Sequence, residues 1–387
     1  MKITNIILEG VGGIKNLTLS FNPNMNIICG PNGIGKTTIL ESIAHLFSNG
    51  QTSILKRSVN SEYCKIKALV EKNGEILPAT LEFDTFIPEK LTQMYGLHNF
   101  ASEIISLKTS RTFQYQLLSS VNRDSNKDDY TCWMEAINGI NLLDIKNWFV
   151  HRYLYSVHKD ALSQEQINNY ELAKQCFSYL NTDFTFSRID ASSNDIMINT
   201  PSGEIYYEYL SSGFKSIISI LFGIIKEIEF RFKEPRINAK DFEGIIVIDE
   251  IELHLHPEWQ EKVVNILMKA FPKAQFFLST HSPHVIQNSL PKQIIALGIK
   301  NGEVFQRELP ESEYGFQGWT VEEVLTDIMG MTDLRTSTFK KLIENFESEI
   351  EVENYKNANE IYTKIDELLH PQNQLRKLLK FQLISIE

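Results

Sequence analysis

Apolar residues Leu17, Leu19 and Phe21 alternate with Asn16, Thr18 and Ser20, the period of a strand with one buried face. Two further runs, Cys64 to Glu71 and Glu75 to Phe83, flank Asn73-Gly74, a favoured two-residue hairpin turn. Residues 1 to about 85 therefore predict a β-rich lobe. From about 86 to 182 the texture becomes helical: Ser163 and Gln166 make a capping box, and Ile167, Tyr170, Ala173, Phe177 and Leu180 follow at helical spacing. This stretch predicts a helical insertion. Strand patterns return at Asp183 to Ile189 and Asp195 to Asn199, and Pro201-Ser202-Gly203 turns the chain into Glu204 to Tyr209. Beyond Ser211 come a long amphipathic helix and three apolar strands, Gly244 to Ile248, Gln275 to Leu278 and Gln293 to Leu297. That order predicts an α/β fold with a mainly parallel sheet flanked by helices. In the tail, Thr320 and Glu323 form a capping box ahead of Val324, Leu325 and Ile328, and Ile361, Ile365, Leu368 and Leu369 repeat at helical spacing. The expected division is a head over 1–300, with the helical insertion at about 86–182, and a helical C-terminal region over 301–387.

Composition narrows the class. The 387 residues carry 42% hydrophobic and 22% charged residues, and no apolar run approaches the roughly 20 residues that a spanning helix needs. The N-terminal Met1-Lys2-Ile3-Thr4-Asn5 has no signal-peptide pattern, so the expectation is a cytoplasmic protein without a membrane partner. Cys29, Cys64, Cys132 and Cys176 lie far apart with no Cys-x-x-Cys, which reads as buried thiols rather than a disulfide framework or zinc ribbon. A net charge of −11 repels nucleic acid, so any such contact must use a local basic patch or a partner.

The candidate chemistry begins at Gly30-Pro31-Asn32-Gly33-Ile34-Gly35-Lys36-Thr37, set between the apolar Met25 to Cys29 and the helix-like Thr38 to Phe47. A strand, a glycine-rich loop and a helix N-terminus in that order hold a polyphosphate mostly by main-chain N–H groups. Asn32, Gly33, Gly35, Lys36, Thr37 and Thr38 are the candidate nucleotide contacts, with Lys36 reaching the β and γ phosphates and Thr37 ligating Mg²⁺. Further on, the strand Ile245 to Ile248 ends in Asp249-Glu250, where an α/β sheet presents its ligands. Adjacent residues at a strand end point in different directions, so Asp249 would hold Mg²⁺ while Glu250 polarises an attacking water. The next strand leads into Ser279-Thr280-His281-Ser282-Pro283-His284, which places His281 as a donor to the γ-phosphate or the water.

With these residues in place, the chain resembles the ATP-binding-cassette superfamily, and within it the soluble SMC-like and OLD-like ATPases. The matching motifs are the phosphate loop, Leu210-Ser211-Ser212-Gly213-Phe214-Lys215 as the signature, Asp249-Glu250, Glu252-Leu253-His254-Leu255-His256-Pro257 at the D-loop position and His281 at the switch. The resemblance implies ATP and Mg²⁺ as ligands, and a homodimer whose heads sandwich two ATP molecules head to tail. Ser211 and Gly213 would then contact the γ-phosphate bound by the other head. The sequence departs from the family at Ser212, where a glycine is usual, and at Phe214, where a glutamine is. Gln93, Gln114 and Gln116 compete for the glutamine that follows the first lobe, and Arg111 faces the nucleotide, the dimer seam or solvent.

No sustained heptads separate the phosphate loop from the signature, so a long DNA-clamping arm is not expected. The tail after His284 lacks the clustered acidic motif of an appended nuclease. What remains is similar to the stand-alone ATPases of bacterial anti-phage defence, the ATPase subunit of Septu systems and retron-associated ATPases, which work with a separate HNH-type nuclease. Gly318-Trp319-Thr320-Val321-Glu322-Glu323-Val324-Leu325 resembles their tails. The implied function is an ATP-hydrolysing dimeric switch of slow turnover that controls an effector nuclease; the alternative is a DNA-repair or recombination ATPase that binds DNA directly. Weaker signals are a basic stretch at Arg231, Lys233, Arg236 and Lys240, read as a solvated connection before a phosphate-backbone contact, and His254, His256, His281 and His284, which lack the further ligands of a metal shell.

Overall fold

A computed structural model describes residues 1–111, 115, 117–331 and 334–386. The chain opens with the antiparallel pair β1 (Lys2–Val11) and β2 (Ile14–Ser20), and β3 (Met25–Cys29) then leads through the glycine-rich loop into α1 (Lys36–His45). Next come β4 (Asn49–Thr52), the hairpin of β5 (Cys64–Lys72) and β6 (Glu75–Phe83), and β7 (Thr92–Tyr95), which pairs back onto β4. The hairpin is the predicted one, with Asn73 and Gly74 at φ of 53° and 81°, the left-handed pair that matches strand twist. Strands β2-β1-β5-β6 form the four-stranded antiparallel lobe.

The stretch from 86 onward is not helical at its start. After β7 it supplies β8 (Ile104–Leu107), a fully buried edge strand of the central sheet. Four residues buried on both faces carry no period-two signal, which is why the pattern alone does not reveal it. Helices follow as α2 (Asp129–Asn138), α3 (Ile145–Ser156) and α4 (Gln164–Leu180), the last starting at the Ser163–Gln166 capping box. A three-stranded antiparallel meander, β9 (Thr185–Ile189), β10 (Ile196–Thr200) and β11 (Gly203–Tyr206), precedes the long α5 (Ser212–Arg231). The remaining sheet strands alternate with helices: β12 (Ile245–Ile248), α6 (Pro257–Ala270), β13 (Gln275–Ser279), α7 (Pro283–Gln287), β14 (Ile294–Lys300) and β15 (Glu303–Gln306). The predicted Thr320–Glu323 capping box starts the short α8 (Val321–Glu323).

The central sheet has the order β15-β14-β3-β13-β12-β8 and is parallel throughout except at β15. Each parallel strand divides its side chains between two cores. Met25, Ile27, Ile246, Ile248, Phe276 and Leu278 enter one, with residues of α3 to α6 such as Phe149, Phe177 and Ile217. Ile28, Ile245, Val247, Phe277 and Leu297 enter the other, with Ile39 and Ile43 of α1 and the inward face of the lobe. At about 1.5–3 kcal/mol per buried side chain, this two-sided burial is what holds the parallel strands together.

The chain divides into two compact units, Met1–Gly330 and Met331–Glu387. The second is a three-helix unit of α9 (Ser337–Glu351), α10 (Tyr355–Leu368) and α11 (Leu375–Ile384), packed around Phe346, Ala358, Ile365 and Leu383. Ile361, Ile365 and Leu369 join this core as their spacing predicts, whereas Leu368 stays exposed.

One feature of the first unit has no hydrophobic explanation. The C-terminal half of α5 carries Lys226, Glu227, Glu229 and Arg231, which are buried or nearly so against residues 124 to 152. Glu229 accepts from Arg152 Nε at 2.8 Å and from Trp148 Nε1 at 3.1 Å, and Arg152 also pairs with Asp124 at 2.6 Å. Glu227 takes Lys127 at 2.6 Å, and Arg231 takes Glu135 at 2.8 Å. Arg231 is therefore a structural residue, not part of a solvated basic stretch, and Lys233 is occupied with Asn126.

Removing Arg152 strands the Glu229 carboxylate, so Arg152→Met is expected to cost about 3–5 kcal/mol, and pairing it with Glu229→Met to recover most of that. Urea midpoints of the two variants test this; equal losses would contradict it. A second expectation concerns His45, whose ring bonds to Glu41 O at 2.7 Å and Thr52 Oγ1 at 3.1 Å. Burial lowers its pKa to about 4, below the ordinary 6.5. The unfolded chain takes the proton first, so this stability is complete above pH 6.5 and is lost as pH falls toward 4. The urea midpoint should decline across that window, and less steeply in His45→Gln.

Candidate active site

The phosphate loop leaves a ring of unclaimed donors. Gly35 is the residue before α1 and sits at φ 108°, and no side chain caps the helix, so its first N–H groups remain free for an anion. Lys36 lies folded against its own loop, with Nζ donating to Gly30 O at 2.9 Å and Pro31 O at 3.0 Å. Burial lowers its pKa, and the nearby carboxylates of Glu252, Asp249 and Glu250 oppose that shift. Asn32, Gly33 and Thr37 are exposed at the same loop, and Thr38 follows in the first turn of the helix.

The strand-end carboxylates meet this loop from the next two strands. β12 pairs with β13 through Ile248 opposite Leu278, and β13 pairs with β3 through Ser279 opposite Ile28. Asp249 consequently stands over α1, its two carboxylate oxygens 3.3 and 3.2 Å from Thr37 Oγ1. A hydroxyl and a carboxylate brought together this way are hard oxygen donors that fit a magnesium ion completed by phosphate and water. Ser279 ties the doublet together: its hydroxyl donates to Asp249 and accepts from the Glu250 N–H at 2.7 Å. Glu250 itself sits at φ 47°, a left-handed conformation uncommon outside glycine.

Two more groups converge here that the sequence reading placed elsewhere or left open. Arg111 is buried and donates from Nη2 to Glu250 O at 2.6 Å, which excludes its solvated reading. Burial lowers its pKa to about 10, opposed by Glu252, Asp249 and Glu250. Glu252 accepts from Thr280 Oγ1 at 2.8 Å and from the His281 N–H at 2.6 Å, so the segment after Glu250 is bonded to the switch strand. The His281 side chain is exposed beside this junction. Ser279 and Glu252 stand in the switch and D-loop segments of the sequence without roles of their own, because their contacts depend on which strand lies next to which.

The signature residues belong to a different part of the surface. Ser211 caps α5 by accepting from the Phe214 N–H at 3.3 Å and is exposed, as is Ser212. Gly213 packs so closely that a Cβ there would lie 3.0 Å from the Trp259 ring and 3.4 Å from His254 O. Phe214 stacks on Phe177 and meets Trp259 edge-on at 5.6 Å, so this position serves the core. Among the described residues no hydrogen bond joins Ser211 or Gly213 to the phosphate loop. Of the competing glutamines, Gln93 is exposed on β7, and Gln114 and Gln116 lie outside the described residues. All four cysteines are free and buried, and no described helix is long and apolar enough to cross a membrane.

Known proteins resemble this chain along most of its length. Residues 1–132 match the AAA ATPase domain family, and residues 142–287 match an AAA domain family of AbiEii-toxin type from Type IV TA systems. The chain is 44% identical over 389 residues to the Septu protein PtuA of Bacillus thuringiensis, covering 98% of this chain and 97% of that protein. It is 39% identical over 383 residues to the "Retron Vc95 probable ATPase" of Vibrio cholerae serotype O1 biovar El Tor, covering 76% of this chain and 73% of that one. Among solved structures, the SMC head domain from Thermotoga maritima aligns at a TM-score of 0.47 with 14% identity, over 80% of this chain and all of that one.

Because Ser279 orients Asp249 from behind, Ser279→Ala is expected to weaken Mg²⁺ binding to the nucleotide complex by about 10–100-fold, as loss of a partner behind a metal ligand commonly does. Titration of a fluorescent ATP analogue with and without Mg²⁺ checks it, and the Mg²⁺-free affinity should stay as in the parent protein.

Proposed function

The chain belongs to the Septu PtuA family of SMC-like ATPases, and from that premise we propose that it is an ATP-driven switch of bacterial anti-phage defence that controls a separate nuclease, of HNH type. The observation that carries the reading is the hydrogen-bonded set of Thr37, Asp249, Ser279 and Glu250 at the mouth of an uncapped phosphate loop. A metal ligand pair, a second carboxylate and free main-chain donors are what phosphoryl transfer to water needs.

In this reading Asn32, Gly33, Gly35 and Thr38 hold the polyphosphate, and Lys36 leaves its own loop carbonyls to bind the β and γ phosphates. Thr37 and Asp249 hold Mg²⁺. When bound, such an ion would offset the negative charge of the phosphates. Glu250 takes the proton of the attacking water, and His281 donates toward the γ-phosphate from the next strand. Ser211 and Gly213 complete the site from a second copy, at the N-terminus of α5, where an anion is favoured. Closure of that dimer by ATP, and its opening after slow hydrolysis, set the state of the nuclease. The exposure of Ser211 and Ser212 supports a contact made in trans.

Sizing with and without ATP·Mg²⁺, phosphate release and a labelled-DNA shift in one buffer test this. ATP should produce dimers or larger assemblies with slow release and no DNA shift. Glu250→Gln should retain ATP and the closed dimer, while Lys36→Ala should abolish binding. Hydrolysis by Glu250→Gln at the parent rate would refute its assigned role, and tight ATP-stimulated DNA binding would favour a repair-type DNA-binding ATPase instead.

A further inference from the structure

Two other buried arginines of the first unit are neutralised by direct contact: Arg152 pairs with Glu229 and Asp124, and Arg231 with Glu135 and Glu227. Arg111 is different. It is 4% exposed, and among the described residues its guanidinium makes no ion pair and one hydrogen bond, to the backbone carbonyl of Glu250. Its Nε and Nη1 are buried without a partner. A buried cation left so incompletely bonded costs more stability than packing alone returns, and such groups persist where the surrounding site uses them.

The use is visible in what Arg111 touches. Glu250 is held at φ 47°, a conformation that costs an ordinary residue about 1–3 kcal/mol unless its surroundings fix it. Three bonds do so: the Glu250 N–H donates to Ser279 Oγ at one end, and at the other the Glu250 carbonyl accepts from Arg111 Nη2 and from the Leu253 N–H at 3.0 Å. Arg111 reaches that carbonyl because β8 lies in register beside β12, with Leu107 opposite Ile248 and the Asp249 N–H donating to Leu107 O at 3.0 Å. The chain leaving β8 therefore runs alongside the doublet.

We propose that Arg111 is a positioning residue for turnover, holding the Glu250 backbone in its left-handed conformation and so aiming the Glu250 carboxylate at the reacting water. The inference rests on the reading of Glu250 given above. Arg111 does not touch the nucleotide in this role, so its loss acts on the rate and not on binding.

The test compares Arg111→Met, Arg111→Lys and Glu250→Gln in the full chain by steady-state hydrolysis and by affinity for a fluorescent ATP analogue. Arg111→Met should lower kcat at least about 10-fold, with nucleotide affinity within about threefold of the parent, since small misplacement of a reacting group acts on the rate. Arg111→Lys, which keeps a cationic donor, should restore a substantial part of the rate; a residue that merely fills space would show no such rescue. A parent-like kcat in Arg111→Met beside an inactive Glu250→Gln would overturn the inference, as would parallel loss of rate and affinity. Parent-like turnover by Glu250→Gln would instead refute the reading of Glu250, and this inference with it. If Arg111→Met does not fold, Arg111→Ala, which also removes the donor, carries the test: a kcat at least about 10-fold below the parent at unchanged affinity supports the proposal, and a parent-like kcat overturns it.

Discussion

The register of three parallel strands is the constraint from which the site follows. β13 lies between β3 and β12, with Ser279 opposite Ile28 and Leu278 opposite Ile248. Those pairings bring Ser279 beside Asp249 and end β3 just ahead of the phosphate loop. A slip of one residue would send every side chain of a strand to the wrong face. The cost of that slip is high because both faces are buried in different cores, so Val247 and Ile248, or Phe277 and Leu278, are not interchangeable in their neighbours. Catalytic precision here is inherited from hydrophobic sorting.

The long helix α5 extends the same logic across the head. Its first turn carries the signature and is packed against Trp259 and the Glu252–Pro257 segment, while its last turns sit in the ion-pair cluster with residues 124 to 152. Twenty residues of helix span about 30 Å and transmit displacement with little bending. Buried ion pairs add little net stability over well-packed apolar groups, but they accept one alignment of partners and penalise others. Arg152, clasped between Glu229 and Asp124, ties α3 to α5 and to the segment that leads into α2.

Much of this was legible in the sequence. The hairpin at Asn73-Gly74, the capping boxes at Ser163 and Thr320, the strands ending at Asp249 and Ser279, and the loop itself follow from local spacing. What escaped depends on neighbours far along the chain. β8 is too short to show a period, and its place beside β12 is a tertiary fact. Arg231 looks like the first member of a basic run and is instead the buried partner of Glu135, ninety-six residues away. Ser279, Glu252 and Arg111 are ordinary polar residues until the register places them around Glu250.

Charge balance gives the site its direction. Asp249, Glu250 and Glu252 gather near two buried cations, Lys36 and Arg111, and they oppose the lowering of both pKa values by burial. Lys36 is satisfied by neutral carbonyls of its own loop, which on the proposed reading it exchanges for phosphate oxygens. On the proposed reading, a polyphosphate entering this group would add negative charge to three carboxylates, with Lys36 turning to meet it. A divalent ion held by Thr37 and Asp249 would supply part of the difference, and the positive end of another helix would supply more. On the proposed reading that helix is α5 of a second copy. A head that gathers more anions than it can offset by itself is then poised to close on a partner when ATP is present, and to open once the γ-phosphate has gone.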